Sequence, residues 1–366
     1  MRILHVATYL DENRSYGGPV TVALTLAEEQ AAQGNEVSLL ALSNVASKNS
    51  SNGVTFFTFK VRKSSSGRGK FSSLWSPSAL IWLFINVKKY DVVHLHFSRD
   101  VFQVSTAIIT QLRGSKFFLQ THGMLTNTEA SKKIYQDLYD AFLIRPALKR
   151  CVRLFALHDI ERAALNKFAP LSAIEVLPNG INFRDLTAHK PKTVQVAFIS
   201  RLHSQKRPLL FLESAKKLII GGSESSFLIA GPDGGLANAV EREVADFNSN
   251  QLTYLGALGF EDVRRTLLDS SLLVLPSAND AFPMIVLEAL SLGIQVVVSS
   301  SCQIASDVET LDLGEIFYHD TDDLGDVICK ALSKKREKLA VYTAAREKFE
   351  ISAIASSLTT TYGKGR

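Results

Sequence analysis

Short, continuous apolar runs alternate with longer stretches of helical periodicity along almost the whole chain. Residues 3–7, 36–42, 91–95, 116–119 and 152–156 read as strands in the first half. Runs apolar at successive rather than alternate positions describe strands buried on both faces, the condition of a parallel sheet between helices. Helix punctuation agrees: Pro19 stands where a first helical residue would, and Gly34 follows the periodic stretch 20–33. The greasy stretch 79–87 reads as a buried helix, because a bilayer-spanning helix needs roughly 20 apolar residues.

The alternation pauses around residues 179–182 and a polar run to residue 192. It restarts with a new first strand at 194–199, a helix at 208–220, and strands at 227–230, 252–255, 272–275 and 295–298. A chain of 366 residues exceeds what one core usually organises. The expected architecture is α/β, with two doubly wound domains over residues 1–183 and 193–345 and a boundary at 183–192. Residues 334–362 read as helical, and residues 64–70 as a flexible loop. In such sheets ligands gather beyond the carboxyl ends of the strands, which favours a cleft between the halves.

Composition narrows the function. Apolar residues make up 46% and charged residues 21%, ordinary for a globular protein. The net charge of +5 is unevenly spread, since residues 1–190 hold 23 basic and 14 acidic side chains. That bias points to an anionic partner such as a membrane surface. Its basic groups include Arg62-Lys63, Lys88-Lys89, Lys132-Lys133, Arg145, Lys149, Arg150 and Arg153, which are equally compatible with a solvated face. No aromatic-interleaved basic stripe argues for nucleic acid. Cys151, Cys302 and Cys329 form no CxxC pair, so a disulfide framework or zinc site is not expected and a reducing cytoplasm fits. The chain opens almost directly in a strand-like run, without the pattern of a secretory leader.

Two constellations carry chemistry. Arg201-Leu-His-Ser-Gln-Lys206 follows the strand at 194–199, placing cations at a carboxyl end where they suit phosphate oxygens. They also fit an ordinary solvated loop. Asp280-Ala-Phe-Pro-Met-Ile-Val-Leu-Glu288 runs from a loop into a helix, with Pro283 in its first turn. The amides over Ala281–Met284 mark a helix start, a seat for phosphate (Pro283 itself lacks the N–H). Asp280 can accept bonds from sugar hydroxyls or merely cap the helix. Glu288 lies among Ile285, Val286, Leu287 and Leu290, where a carboxylate asks for a partner. Gly17 and Gly18 let backbone approach a phosphate or sugar closely, or simply make a tight turn. His122 ends the strand at 116–119 and precedes Gly123. His94 and His96 share one strand face, but no third ligand for a metal is apparent.

These residues carry a resemblance. Arg201 with Lys206, Ala230-Gly231-Pro232, Leu255-Gly256 and Asp280 to Glu288 resemble the donor half of family 4 retaining glycosyltransferases. Tyr16-Gly17-Gly18-Pro19, His94-Leu95-His96, Thr121-His122-Gly123-Met124-Leu125 and Leu177-Pro178-Asn179-Gly180-Ile181 resemble the amino half. The resemblance implies a GT-B fold, acceptor domain first and donor domain second, with residues 346–366 forming a helix that returns toward the first domain. It implies transfer of a hexosyl group, with retention, from a nucleoside-diphosphate sugar to a glycan or lipid-linked glycan of surface polysaccharide assembly. The donor would meet Gly17, Gly18, Arg201, Lys206, Gly231, Leu255, Asp280–Ile285 and Glu288. His122 would position the transferred sugar, and His96 and Tyr16 would line the acceptor side. No metal or other cofactor is implied. The family element usually begins with Glu where this chain has Asp280, which loosens any inference about the donor sugar. Epimerisation of a nucleotide sugar, or glycan binding by an inactive scaffold, are the competing readings.

Overall fold

A computed structural model describes residues 1–10, 17–62, 74–125, 133–170, 172–184, 186 and 194–364. The chain folds as two compact units, Met1–Gly180 with Ile351–Arg366, and Ile181–Glu350. Tyr16, Lys63, Lys132 and the loop at 64–70 lie outside the described residues.

The first unit holds an eight-stranded sheet. Its strands are β1 (Arg2–Tyr9), β2 (Glu36–Ser43), β3 (Ser47–Ser51), β4 (Val54–Lys60), β5 (Val92–His96), β6 (Phe117–Gln120), β7 (Arg153–Ala156) and β8 (Ile174–Val176). They run in the order β3-β4-β2-β1-β5-β6-β7-β8, and only the β3–β4 pair is antiparallel. β1, β2, β5 and β6 are buried almost end to end, as their unbroken apolar runs require. The order reverses between β1 and β5, so the carboxyl ends of these strands flank a topological switch point.

Three local expectations need correction here. The first helix begins at Gly17 rather than at Pro19, and covers Gly17–Ala32. The helix expected to be buried, Pro77–Asn86, buries only Ala79 and Leu83 and leaves Ile81 60% and Ile85 62% exposed. Its apolar residues run all round the helix, while only one stripe meets the sheet. The helical tail is broken into Leu324–Lys334, Lys338–Phe349 and Ile351–Lys364. Lys335 adopts a left-handed φ of 35° and Glu350 is extended, which interrupts the helix twice. The last piece packs against Gly17–Ala32, and its Ile354, Leu358 and Tyr362 are buried.

The second unit carries a wholly parallel sheet: β9 (Gln195–Ile199), β10 (Ser226–Ala230), β11 (Leu252–Tyr254), β12 (Leu272–Leu275), β13 (Gln295–Ser299) and β14 (Gly314–Phe317). The order is β11-β10-β9-β12-β13-β14, which reverses between β9 and β12. β10, β12 and β13 are almost completely buried, and Phe198, Phe211 and Phe227 pack together at its centre.

Candidate functional site

In the second unit the switch point between β9 and β12 collects the charged residues. Arg201 follows the end of β9, and Asp280 lies in the loop after β12. The chain between Arg201 and the helix Pro208–Ile220 makes a single tight turn at Ser204–Lys206. One backbone and one side-chain hydrogen bond tie this turn to the loop after β12. The Ala278 amide donates to the Gln205 carbonyl at 2.7 Å, and Gln205 Nε2 donates to the Asn279 carbonyl at 2.7 Å. Lys206 Nζ therefore lands on the Asp280 carboxylate, in a half-buried ion pair. Asp280 is held from its other side, because the Gln303 amide donates to its carbonyl at 3.1 Å. Arg201 is exposed, and its guanidinium makes no hydrogen bond or ion pair among the described residues.

Glycine packs this corner tightly. Gly231, just past β10, has φ +151°, and a Cβ there would overlap the Ser200 carbonyl oxygen. At Gly234 a Cβ would sit 2.9 Å from the Leu202 carbonyl oxygen and 3.0 Å from Arg201 Cγ. The loop after β10 thus lies directly against the stretch that carries Arg201. Leu202 adds a donated bond to the Pro232 carbonyl at 2.9 Å. Leu255 is exposed and lines a hollow with Leu228, Leu258 and Asp262, which also reaches Gln195 at the amino end of β9.

Glu288 occupies the short helix Met284–Leu290, whose Val286, Leu287, Ala289 and Leu290 are buried. Its carboxylate has no side-chain partner among the described residues, and burial pushes it up to about 7. Around the start of that helix, Ala281, Met284 and Ile285 are half-buried, whereas Phe282 and Pro283 are buried. Phe282 meets Phe349 edge-on at 5.9 Å, so its side chain packs the core. The structure brings Lys206 and Asp280 into contact and sets Arg201 at the same carboxyl end of the sheet. Glu288 follows on the next helix without touching that pair.

In the first unit the carboxyl ends of β5 and β6 converge on histidine. His5, His94, His96 and His122 are all buried. The ring centroids of His94 and His96 lie 4.8 Å apart, and those of His96 and His122 lie 5.2 Å apart. His96 Nε2 faces His5 Nδ1 at 3.2 Å, and His96 Nδ1 faces His122 Nε2 at 2.9 Å. Both ring nitrogens of His96 are thus engaged inside the protein. Desolvation lowers His5 to about 4 and His122 to about 3, and holds His94 and His96 well below the usual range, so all four are neutral at pH 7. Among the described residues no three His, Cys, Asp or Glu side chains are placed to hold a metal ion.

His122 itself has φ +50°, an uncommon conformation for a residue with a side chain. Glu161 holds it there: its fully buried carboxylate accepts from Thr121 Oγ1 at 2.6 Å, from the Gly123 amide at 2.7 Å and from the Leu157 amide at 2.7 Å. Arg99 braces the next residues, donating to the carbonyls of Met124 at 2.9 Å and Leu125 at 2.7 Å while pairing with buried Asp140. Gly17 and Gly18 open the helix after β1.

Two family models match in tandem: "Glycosyltransferase Family 4" over residues 16–185 and "Glycosyl transferases group 1" over residues 181–348. The chain belongs to the group 1 glycosyltransferases. Among curated relatives of this group 1 chain, the Escherichia coli UDP-Gal:alpha-D-GlcNAc-diphosphoundecaprenol alpha-1,3-galactosyltransferase is 30% identical over 240 residues, 60% of each chain. The D-inositol 3-phosphate glycosyltransferase of Mycobacterium ulcerans is 27% identical over 155 residues, 40% of this chain and 33% of its own. The chain thus spans less than two thirds of these curated relatives. Solved structures share its fold nearly end to end. Sucrose-phosphate synthase from Thermosynechococcus elongatus superposes with a TM-score of 0.77 at 16% identity, over 99% of this chain and 98% of its own. Anabaena HepE in complex with UDP gives 0.75 at 14%, covering all of both chains. The fold of this group 1 member is therefore GT-B, an α/β architecture of two parallel-sheet domains.

Glu161, Arg99 and Asp140 were missed in this group 1 sequence. Glu161 is one of two acids in the first turn of the helix Asp159–Phe168, where an acid ordinarily complements the helix dipole. Only its lack of exposure distinguishes it, and no local pattern announces that.

Proposed function

We propose that the protein transfers a hexosyl group, with retention at the anomeric carbon, from a UDP-sugar to a hydroxyl of a lipid-diphosphate-linked glycan. The observation that carries this reading is the grouping of Arg201, Lys206 and Asp280 at the β9/β12 switch point, where a parallel sheet offers its ligand site. Two cations meet the charge that a departing diphosphate gains, so no metal is needed for that purpose. Asp280 takes hydroxyls of the sugar, and Glu288 takes the ribose. A donor phosphate oxygen accepts the acceptor's hydroxyl proton as the acceptor oxygen bonds to the anomeric carbon and the bond to diphosphate breaks. The UDP named for HepE and the UDP-galactose and diphosphoundecaprenol named for the Escherichia coli relative support this choice of substrates. Surface polysaccharide assembly on the cytoplasmic side is the setting that such an acceptor implies.

Peripheral docking on anionic lipid belongs to the same proposal. Ile81, Phe84 and Ile85 of the helix Pro77–Asn86 and Ile108 and Leu112 of its packed neighbour Val101–Leu112 are exposed. Arg113 lies 4.6 Å over the Phe84 ring, and exposed Lys88 and Lys89 follow the first helix. Apolar side chains bordered by cations suit a bilayer interface. No helix among the described residues is long and apolar enough to cross a membrane.

Incubation with UDP-galactose, UDP-glucose and GDP-mannose, with and without a short-chain GlcNAc-diphospholipid, tests the transfer. UDP released only with acceptor supports it. An isomerised donor indicates an epimerase, and binding without turnover an inactive glycan-binding protein. Arg201→Ala lowers turnover at saturating donor at least tenfold, since one such contact is worth about 3 kcal/mol. Sedimentation with phosphatidylglycerol vesicles but not with phosphatidylcholine vesicles supports the docking surface; equal recovery with both contradicts it.

A further inference from the structure

The buried histidines of the first unit form a directed wire, and its direction is set far from the end that matters. A neutral imidazole donates through one nitrogen and accepts through the other. Where two ring nitrogens face each other at hydrogen-bond distance, one of them carries a proton and the other does not. The wire begins at Gln30, which is fully buried on the helix Gly17–Ala32. Gln30 Nε2 donates to Thr359 Oγ1 at 3.1 Å, and its Oε1 faces His5 Nε2 at 2.7 Å.

An amide oxygen only accepts, so His5 must carry its proton on Nε2. His5 Nδ1 is then a lone pair and must receive a proton from His96 Nε2, 3.2 Å away. His96 Nδ1 is in turn a lone pair and must receive from His122 Nε2 at 2.9 Å. His122 is thereby left with an unprotonated Nδ1. That atom is fully buried and has no hydrogen-bond partner among the described residues. Neighbouring His94 does not interrupt the series, because its Nδ1 is taken by the Tyr362 hydroxyl at 2.5 Å.

We propose that Gln30, acting through His5 and His96, fixes the tautomer of His122 so that His122 Nδ1 is presented as a lone-pair acceptor for a hydroxyl group of the substrate. Gln30, His5 and His96 are positioning residues; His122 alone is placed to meet the ligand. Reversing the Gln30 amide would reverse every proton in the series and turn His122 Nδ1 into a donor, which recognises carbonyl or phosphate oxygen instead. Thr359 Oγ1 accepts from the other end of the amide, so the helix Ile351–Lys364 touches the residue at which the series starts. The proposal rests on the transfer reading only for the identity of the hydroxyl, a sugar hydroxyl. The tautomers themselves are independent of it.

The test is long-range 1H–15N correlation on the full chain labelled with 15N-histidine, with signals assigned from single His→Asn variants. In the wild type at pH 7, His5, His96 and His122 each show the Nε2–H pattern. Gln30→Leu removes the anchor, and the single-tautomer pattern of His122 is lost. Gln30→Glu, which can only accept when ionised, restores it. A wild-type His122 protonated on Nδ1 overturns the proposal. So does a His122 pattern unchanged in Gln30→Leu. If Gln30→Leu does not fold, the wild-type and Gln30→Glu spectra decide the matter alone. Addition of UDP-glucose to the wild type then moves the His122 Nδ1 resonance, whereas UDP alone does not. A His122 pattern as predicted together with failure of the sugar-transfer assay separates the two claims.

Discussion

Glu288 links stability to ligand chemistry in a way that can be measured. Burial among apolar neighbours raises its carboxyl from 4.5 to about 7, with no cation to offset the desolvation. Between these values the folded protein holds a proton that the unfolded chain releases. The stabilising contribution is complete below about pH 4.5 and is lost as the pH rises through 7. The shift corresponds to about 3 kcal/mol at most, at roughly 1.4 kcal/mol per pH unit. Glu288→Gln cannot ionise and escapes this loss. Calorimetric unfolding of both proteins at pH 4.5 and pH 8.5, at one ionic strength, should show equal melting temperatures at the low pH. At the high pH the variant should melt higher, by up to roughly 6–12 °C, from the usual conversion for a unit of this size. The same variant should bind UDP more weakly, since a ribose hydroxyl is held better by a carboxylate than by an amide. An equal difference in melting temperature at both pH values would refute the reasoning, because it would show that ionisation of Glu288 does not oppose folding.

Other perturbations separate the roles of neighbouring residues. Asp280→Asn leaves Lys206 without a neutralising carboxylate, so UDP should bind about fivefold tighter in a titration, from about 1 kcal/mol of relieved competition, while sugar transfer falls; unchanged affinity would mean that Lys206 does not meet the diphosphate. Glu161→Ala strands three buried donors around His122 and should cost about 3 kcal/mol or more, seen as a lower melting temperature of the first unit; a loss under about 1 kcal/mol would show that water replaces the carboxylate. Gly231→Ala drives a Cβ into the Ser200 carbonyl and should give insoluble protein or a loss above about 4 kcal/mol; wild-type stability would contradict the packing of the loop after β10 on β9.

The sheets were legible where burial is two-sided. β1, β5, β6, β9, β10, β12 and β13 are continuous apolar runs because helices cover both their faces. β3 was not legible: Ser47–Ser51 is wholly polar and exposed, an edge strand that exists only by pairing with β4. β4 alternates buried and half-buried residues, and β8 is three half-buried residues, so neither has the signature of a buried strand. β14 contains Glu315, whose charge is met by Arg336 and Lys330 from a later part of the chain. The positions of Arg201, Lys206 and Asp280 at strand ends could be read locally, since each follows an evident strand. Their pairing could not, because it depends on β9 and β12 being neighbours although they are far apart in the chain. The histidine wire was hidden for the same reason. His94 and His96 share a strand face by spacing alone, but His5 and His122 join them only once β1, β5 and β6 lie side by side.

A crystal structure of the protein with UDP tests the central claim most directly. The account predicts the diphosphate within hydrogen-bond distance of Arg201 and Lys206, and the ribose hydroxyls on the Glu288 carboxylate. Nucleotide bound away from the carboxyl ends of β9 and β12, with those three side chains untouched, would contradict it.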